Sequence, residues 1–170
     1  MDQSQNRKVF AIAAMDEGRA IGFKGALPWD APDDLKRFSK LTRGNTVLMG
    51  RKTWDSLPKS FKPLPDRLNV VVTRTPEQFG DVSLATPVSS AQDYIRAFRE
   101  GKAGQGEILW VIGGAQLYQL TSLLWDGIYL TVLAGNYPGD AWMPVFEDAF
   151  EEPQIEEHDG FAYMNYSRRK

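Results

Sequence analysis

Short apolar runs alternate along this chain with segments of helical pattern, and this alternation limits the possible folds more than any other feature. Five runs, at 8–15, 45–49, 68–73, 108–112 and 127–133, are apolar almost throughout. Strands of this kind are typical of parallel sheets that helices cover on both faces. The sequence therefore predicts an α/β fold with a central mixed, mostly parallel β-sheet.

About four helices and a C-terminal hairpin complete the expected architecture. Two strand-like runs near the C-terminus, 152–158 and 161–167, are joined by Asp159 and Gly160. An Asp-Gly pair between such runs is typical of a β-hairpin, so an antiparallel sheet edge is expected. The other expected segments are helices at 31–41, 50–57, from Ser89 or Ser90 to about Glu100, and 115–124, and a short strand at 82–85.

Composition excludes several classes of protein. The chain has 170 residues, of which 42% are hydrophobic and 25% charged, and this suits one globular domain over 1–170. A net charge of −2 gives no basic field for nucleic acid. With no cysteine and one histidine, neither a disulfide nor a metal site is expected. There is no apolar run of about 18 residues and no signal-peptide pattern, so we expect a cytoplasmic protein, by default a monomer, without a membrane partner.

Asp34 is the candidate functional residue that the local pattern singles out. Asp30 and Pro32 mark a helix start, as a capping residue and a first-turn proline. On the helix that follows, Phe38 and Leu41 lie within about 40° of Asp34, so its carboxylate points along the apolar stripe. Because an unpaired buried carboxylate is costly, it usually meets a polar or cationic group of a ligand. The alternative is a second capping residue in a solvated first turn.

Glycines at the ends of predicted strands indicate a ligand that carries phosphate. The pair Gly113-Gly114 separates a strand from a helix, where glycines let backbone N–H groups approach an anion. The run 50–52 places a glycine and two cations at another helix start, and a bound anion would offset their repulsion by the helix dipole. Arg74 follows a third strand. The alternatives are a tight turn at Gly113-Gly114 and a solvated pair of surface cations at Arg51 and Lys52.

Other catalytic and phosphate-binding motifs do not match this sequence. No Gly-x-Gly-x-x-Gly pattern follows a strand, and no Gly-x-Ser-x-Gly elbow occurs. Gly44 and Gly50 are one residue too far apart for a P-loop. His158 lies beside the predicted hairpin turn and is expected to be a surface residue.

A series of short motifs resembles the bacterial-type, single-domain dihydrofolate reductases in order and spacing. Each motif is weak alone, but the series extends from Val9 to the last strand. The resemblance implies reduction of 7,8-dihydrofolate to 5,6,7,8-tetrahydrofolate, with hydride transfer from NADPH to C6 and protonation at N5. The motifs are Ile12-Ala-Ala-Met15, Ile21-Gly22, Leu27-Pro-Trp29 with Asp34, Met49-Gly50-Arg51-x-Thr53-Trp54, Pro63-Leu-Pro65 with Arg67, Ile112-Gly-Gly114 with Tyr118, Tyr129-Leu-Thr131, and Gly139-Asp140 with Pro144.

The resemblance implies a substrate site around Asp34. The carboxylate of Asp34 is expected to accept hydrogen bonds from the pterin 2-amino group and N3, and Thr131 to bond to it from behind. Trp29 is expected to hold an ordered water, and Leu27 to lie beside the reacting rings. Arg67 is expected to clamp the glutamate α-carboxylate of the substrate. The expected apolar slot consists of Ile12, Ala13, Leu35, Phe38, Leu57, Leu64 and Ile112.

The resemblance also places the cofactor along the glycine-bearing strand ends, beneath a mobile lid at 16–30. Three cations, Arg51, Lys52 and Arg74, are expected to face the 2′-phosphate or nearby phosphates, which predicts NADPH rather than NADH. Antifolate inhibitors are expected to share the substrate site. The expected cofactor residues are Ala14, Ile21, Gly22, Leu27, Gly50, Arg51, Lys52, Thr53, Thr73, Arg74, Ile112, Gly113, Gly114, Ala115, Gln116, Leu117 and Tyr118.

Two of the departures from the family pattern concern the cofactor phosphates and the lid. Ala115 and Gln116 stand where related enzymes often have an arginine after three glycines, so one phosphate-binding cation is missing. Ala141 and Trp142 replace a common Thr and His after Asp140, in a loop that is expected to bond to the lid.

Two other functions remain open from the sequence. One is a pyrimidine reductase of the riboflavin-pathway type, and the other is a non-catalytic module that binds folate or NADPH. The 29–34 segment and Arg67 favour folate, while Asp34, Thr131 and the glycine turns favour a catalytic protein.

Overall fold

The computed structural model describes residues 6–22 and 32–170, and an eight-stranded sheet forms the centre of this described part. Its strands and those of a separate two-stranded sheet are β1 (Lys8–Asp16), β2 (Ala20–Gly22), β3 (Thr46–Gly50), β4 (Leu68–Val72), β5 (Thr86–Val88), β6 (Ile108–Gly113), β7 (Gly127–Leu133), β8 (Ala141–Trp142), β9 (Gln154–His158) and β10 (Phe161–Ser167). The large sheet has the order β5-β4-β3-β6-β1-β7-β10-β9, and β2 pairs with β8. Neighbours from β5 to β7 are parallel, whereas β7, β10 and β9 are antiparallel. The predicted α/β fold with a mixed, mostly parallel sheet and a C-terminal hairpin is confirmed.

The helices follow the predicted pattern, and the largest difference is at the end of the last one. Ser90 caps its helix, because its side chain accepts a hydrogen bond from the amide of Asp93. Asp30, the expected cap of the first helix, lies outside the described residues. The last helix ends at Thr121 rather than at Leu124. The helices of the described part are α1 (Pro32–Thr42), α2 (Arg51–Ser56), α3 (Ala91–Arg99) and α4 (Ala115–Thr121).

The early end of α4 follows from the buried side chain of Thr121. Its hydroxyl donates to the carbonyl of Leu117 at 2.7 Å and accepts the indole N–H of Trp125 at 2.9 Å. Residues 122–124 continue as a 3-10 turn, and the fully buried Trp125 follows them. The chain leaves the α-helix because this turn brings the indole into the core.

The strand expected at 82–85 is wrong. In the structure the amides of Leu84 and Ala85 donate to the carbonyl of Asp81 at 2.8 and 3.1 Å, which closes a turn. The carboxylate of Asp81 accepts the indole N–H of Trp54 at 2.9 Å, so the turn is tied to α2. The strand at this edge of the sheet is β5, directly after the turn.

Two apolar clusters cover the two faces of the sheet. In β3, Val47 and Met49 belong to one cluster and Leu48 to the other, as the pleat of a strand requires. All three side chains are fully buried. Phe98 of α3 lies in the cluster of Leu48, and Trp54 of α2 lies in the cluster of Val47. This two-sided burial explains why the parallel strands are apolar almost throughout.

The carboxyl ends of β3, β4 and β6 meet at one edge of the sheet. Gly50 is the register partner of Val72, and Met49 is that of Gly113. A Cβ placed on Gly50 would lie 3.7 Å from the carbonyl oxygen of Gly113. The glycines that are far apart in the sequence are therefore neighbours, and their backbones form a common surface without side chains.

Alanine at Gly104 is predicted to destabilise the protein more than alanine at Gly44 or Gly80. Gly104 and Gly44 both have φ +81°, but a Cβ would lie 2.6 Å from the Phe98 ring only at Gly104. A left-handed backbone costs a non-glycine residue about 1 kcal/mol or more, and the steric overlap adds to this.

Thermal unfolding of the three alanine variants checks this ranking. The Tm should be near that of the parent for Gly80→Ala, lower for Gly44→Ala and lowest for Gly104→Ala, because Gly80 has an open site and no left-handed φ. Equal Tm values for Gly44→Ala and Gly104→Ala would contradict the predicted overlap.

Candidate active site

Asp34 and Thr131 meet where α1 lies across β7. The hydroxyl of Thr131, 2% exposed, donates a hydrogen bond to Oδ1 of Asp34 at 2.6 Å. Burial raises the pKa of Asp34, and the Thr131 hydrogen bond and the charge of Arg37 offset part of that rise. Within residues 6–22 and 32–170, Oδ2 of Asp34 accepts no hydrogen bond. The protein thus orients one carboxylate oxygen through Thr131, and no other described residue bonds to the second oxygen.

An apolar cluster includes Phe38, which lies one turn after Asp34 on α1. This cluster contains five of the residues that the sequence predicts for the substrate slot, namely Ile12, Phe38, Leu57, Leu64 and Ile112. Leu35 follows Asp34 on α1 and is 57% exposed. Ala13 packs against the other cluster, so its side chain points away from Ile12. Any contribution of Ala13 to the slot is therefore limited to its backbone.

Arg67 is buried at the far end of this cluster, with 9% of its surface exposed. Its guanidinium donates to the carbonyl of Pro65 at 2.8 Å, to Oγ1 of Thr42 at 2.9 Å and to Oγ of Ser39 at 3.3 Å. Burial and the nearby charge of Arg43 lower the pKa of Arg67. An arginine still keeps its charge, so this side chain is a fixed cation with unused N–H donors.

Three cations are expected at the glycine-bearing sheet edge, and they differ in whether a described carboxylate pairs with them. Arg51 forms an ion pair with Asp55 at 3.1 Å within α2, so its charge is already partly compensated. Lys52 and Arg74 are exposed and form no ion pair with any other residue of the described ranges. A Cβ on Gly114 would lie 3.7 Å from Oγ1 of Thr53. The other expected cofactor residues of this edge are the buried Gly113 and Thr73, the half-buried Ala115 and the exposed Gln116.

Leu117 and Tyr118 are core residues, both 4% exposed. The Tyr118 hydroxyl donates to the carbonyl of Ile12 at 2.7 Å. Burial raises the pKa of Tyr118 strongly, and the negative charge of Asp34 adds to the rise. The phenol is therefore a permanent donor that fixes the backbone of β1 beside Asp34.

The start of the expected lid is paired with the loop that follows β7. The 16–30 segment contains the strand β2 instead of an uninterrupted loop, and Ala20 of that strand is the register partner of Trp142 in β8. These contacts use the backbone, so Ala141 and Trp142 permit them without the usual Thr and His. The backbone bonds join Glu17 N to Gly135 O at 3.1 Å, Asp140 N to Gly22 O at 2.9 Å and Met143 N to Arg19 O at 2.9 Å.

Arg19 strengthens this connection, and nothing in the sequence had indicated it. Its guanidinium contacts both carboxylate oxygens of Glu147, at 2.6 and 3.1 Å, and the carbonyls of Met143 and Pro144. Burial alone would raise the pKa of Glu147, but the hydrogen bonds and charge of Arg19 outweigh it and lower that pKa. The partners are distant in sequence, so only the fold reveals the pair.

The remaining expected site residues differ in their position and exposure, and some lie outside the described residues. Leu27 and Trp29 lie outside the described residues, and their catalytic roles stay predictions. Ala14, Ile21 and Gly22 are half-buried at the ends of β1 and β2. His158 is 36% exposed and contacts Glu156 at 3.0 Å, which agrees with its expected surface position.

Asp34→Asn is predicted to stabilise the ligand-free protein near neutral pH. Burial raises the folded-state pKa of Asp34 above its ordinary value of 3.8, so the folded state binds the proton more tightly than the unfolded state. Stability is therefore lost as the pH rises from that ordinary value to the folded-state pKa. Asparagine avoids this loss and still accepts the Thr131 hydrogen bond.

Thermal unfolding at several pH values tests this prediction. The Tm advantage of Asp34→Asn should be present near neutrality and vanish at a pH below both pKa values. Asp33→Asn, which changes the exposed neighbouring carboxylate, is the matched control and should show no such gain. A gain that is independent of pH would rule out the proposed ionisation cost.

No helix among the described residues is long and apolar enough to cross a membrane. The same part of the chain contains no cluster of three or more His, Asp or Glu residues that could hold a metal ion.

Comparison with known proteins agrees with this geometry. The family model for dihydrofolate reductase matches residues 8–168. The chain is 38% identical to dihydrofolate reductase of Bacillus subtilis over 138 residues, which cover 81% of this chain and 76% of that protein. It is 33% identical to dihydrofolate reductase HdrB of Haloferax volcanii, with 94% and 82% of the two chains covered. It is 34% identical to dihydrofolate reductase type 8 of Escherichia coli, with 96% and 97% covered. The chain therefore belongs to the dihydrofolate reductase family.

Proposed function

We propose that this chain reduces 7,8-dihydrofolate to 5,6,7,8-tetrahydrofolate and takes the hydride from NADPH. The observation that carries the proposal is the Asp34 carboxyl, which Thr131 binds at 2.6 Å beside apolar side chains. A pterin ring has apolar faces and an edge of N–H donors, and this site offers matching partners to both. Membership of the dihydrofolate reductase family supports the same reaction.

Asp34 would bind and orient the pterin rather than act as the direct proton donor. Its free oxygen would accept hydrogen bonds from the 2-amino group and N3 of the ring, while Thr131 fixes the other oxygen. Because burial raises the pKa of Asp34, a protonated fraction persists closer to neutrality than for an exposed aspartate. The proton for N5 would come from solvent.

Arg67 would bind the α-carboxylate of the substrate's glutamate. Three protein acceptors hold its guanidinium, so the remaining N–H donors point in a fixed direction. A planar guanidinium suits bidentate binding of a carboxylate. The exposed Leu35 and the half-buried Leu57 would contact the aminobenzoyl ring between pterin and glutamate.

The residues at the glycine-bearing edge fit a dinucleotide. A nicotinamide cofactor supplies the hydride for C6 of the substrate. Gly50 and Gly114 leave the ends of β3 and β6 free of side chains, so backbone amides can approach a pyrophosphate. Lys52 and Arg74 provide exposed positive charge at the same edge, which favours a cofactor with a 2′-phosphate. We therefore assign NADPH rather than NADH.

Other parts of the proposal follow from the family. Leu27 would border the nicotinamide, and Trp29 would hold an ordered water near Asp34. Antifolates with a basic diamino ring would pair with the Asp34 carboxylate. We propose that the protein works in the cytoplasm as a monomer of one domain.

Asp34→Asn is predicted to abolish most dihydrofolate turnover and leave NADPH binding nearly unchanged. Loss of a group that orients the reacting ring and tunes its proton transfer costs about 100-fold or more in kcat. The loss should be smallest at low pH, where the substrate can arrive protonated. The measurement is NADPH oxidation, followed by its near-ultraviolet absorbance, with and without dihydrofolate.

The same assay separates the competing functions. Substrate-dependent oxidation by the parent protein supports the reductase. NADPH binding with no turnover would favour a binding module, and turnover of a ribosylamino-pyrimidine alone would favour the riboflavin-pathway activity. Full activity of Asp34→Asn near neutrality would refute the role assigned to Asp34.

Arg74→Gln and Lys52→Gln are each predicted to weaken the preference for NADPH over NADH. Loss of one charged contact to the 2′-phosphate should lower kcat/KM for NADPH by about tenfold and leave that for NADH nearly constant. Lys102→Gln removes an exposed cation that pairs with Glu100 on the α3 side, and is the matched control. Equal losses with both cofactors would place these cations outside the 2′-phosphate site.

A further inference from the structure

Arg37 lies one turn after Asp34 on α1, and the sheet below holds its guanidinium in place. Its Cζ atom is 3.7 Å from the centre of the Tyr163 ring and 5.7 Å from that of Tyr129. Its Nη2 donates to Oδ1 of Asn165 at 3.3 Å. A guanidinium that stacks on one ring and is bonded at its edge has little freedom to reorient.

The register of the sheet brings this support next to Asp34. Tyr163 on β10 is the direct partner of Thr131 on β7. Partners in an antiparallel pair share a face of the sheet, so the ring that carries Arg37 adjoins the hydroxyl that binds Asp34. On α1, the spacing of three residues places Arg37 and Asp34 on one side of the helix. Helix and sheet therefore fix the same two groups beside each other.

The groups that hold Arg37 are neutral. Its contacts are two aromatic rings and an amide, and it forms no ion pair within residues 6–22 and 32–170. None of these described residues compensates its positive charge by direct ionic contact, and the charge acts on Asp34, whose pKa it lowers against the effect of burial. A fixed charge beside a half-buried carboxyl is screened less than a surface pair.

Other titratable groups around this site are few. Asp33 precedes Asp34 on α1 and is exposed. Glu156 on β9 is the register partner of Tyr163, but its side chain is 69% exposed and contacts His158 at 3.0 Å. The rings of His158 and Tyr163 meet edge to face at 5.1 Å.

The phenols at this site do not compete with Arg37 for control of Asp34. Burial raises the pKa values of Tyr118 and Tyr163, and the negative charge of Asp34 adds to the rise. Both phenols therefore stay uncharged near neutral pH. Among the described residues, Arg37 is thus the cation that acts on Asp34.

We propose that Arg37 is a positioning residue for dihydrofolate reduction, whose immobilised charge keeps the Asp34 carboxyl ionised for binding of the pterin and limits the reaction at high pH. The inference rests on the role proposed above for Asp34. Arg37 touches neither substrate nor cofactor and moves no proton. Its charge opposes a proton on Asp34 and on N5 of the bound pterin, so a neutral side chain at position 37 extends activity to higher pH.

The first test is the titration of Asp34 itself in the ligand-free protein. The γ-carboxyl carbons of aspartate are labelled with ¹³C, and the Asp34 signal is assigned by its loss in Asp34→Asn. In Arg37→Met, which keeps an apolar stem of similar length, the midpoint should move to higher pH. In Arg37→Lys it should lie between the two, because the charge remains without the planar stack. Arg96→Met, which removes an exposed cation of α3 paired with Asp93 at 3.6 Å, should leave it unchanged.

The second test is the pH dependence of kcat for dihydrofolate. The pH above which kcat falls should move upward in Arg37→Met, in the same direction as the carboxyl midpoint. A purely structural role would lower Tm and activity at all pH values and leave both midpoints in place. If Arg37→Met does not fold, two variants of Tyr163 replace it: Tyr163→Leu removes the aromatic support of Arg37, and Tyr163→Phe keeps it. Only Tyr163→Leu should displace the midpoints of the carboxyl titration and of kcat.

The outcomes distinguish this inference from the proposed function. Unchanged midpoints in folded Arg37→Met overturn the role of Arg37. A displaced carboxyl midpoint, together with full turnover by Asp34→Asn, would confirm the electrostatic contact but refute the link to catalysis.

Discussion

The site depends on one costly feature, a carboxyl that is partly removed from water and held by a neutral hydroxyl. Thr131 supplies a hydrogen bond at 2.6 Å but no opposing charge, so the desolvation of Asp34 is only partly compensated. The fold tolerates this because two large apolar clusters stabilise the sheet on which the site rests. A ligand whose N–H donors reach Asp34 can compensate the rest of this desolvation. A ligand without such donors would leave the carboxylate unpaired, so the site selects for the first kind.

The base of the expected lid is held separately from the surface formed by the strand ends. The carboxyl ends of the parallel strands form a fixed surface, whereas the lid base is a short two-stranded pairing tied by Arg19 and Glu147. Binding groups on the sheet need accurate placement, and a lid needs an anchored hinge. The 16–22 segment would serve as that anchor if the lid expected from the sequence forms, since its backbone bonds to the loop after β7.

Much of this could be predicted from the sequence, and the failures have physical reasons. Strand identity follows from apolar runs, and Asp34 from its position on a helical stripe. The expected strand at 82–85 failed because Asp81 closes a turn and accepts a distant indole, a contact that no local pattern encodes. Arg19 and Arg37 were missed for the same reason, since their partners are brought close by sheet register. Only the spacing of Arg37 from Asp34 could have suggested a shared face.

The antiparallel hairpin at the end of the chain has a consequence for how the site is assembled. The ring under Arg37 and the amide that bonds it belong to β10, whereas Asp34 lies in the first quarter of the sequence. Contacts between such distant segments form late, because the intervening loop must close first. A nascent chain could form the parallel strands before its final strand leaves the ribosome. Arg37 would then gain its support from Tyr163 and Asn165 only when the last strand docks. In a partly folded intermediate, the pKa of Asp34 would therefore differ from its value in the native enzyme.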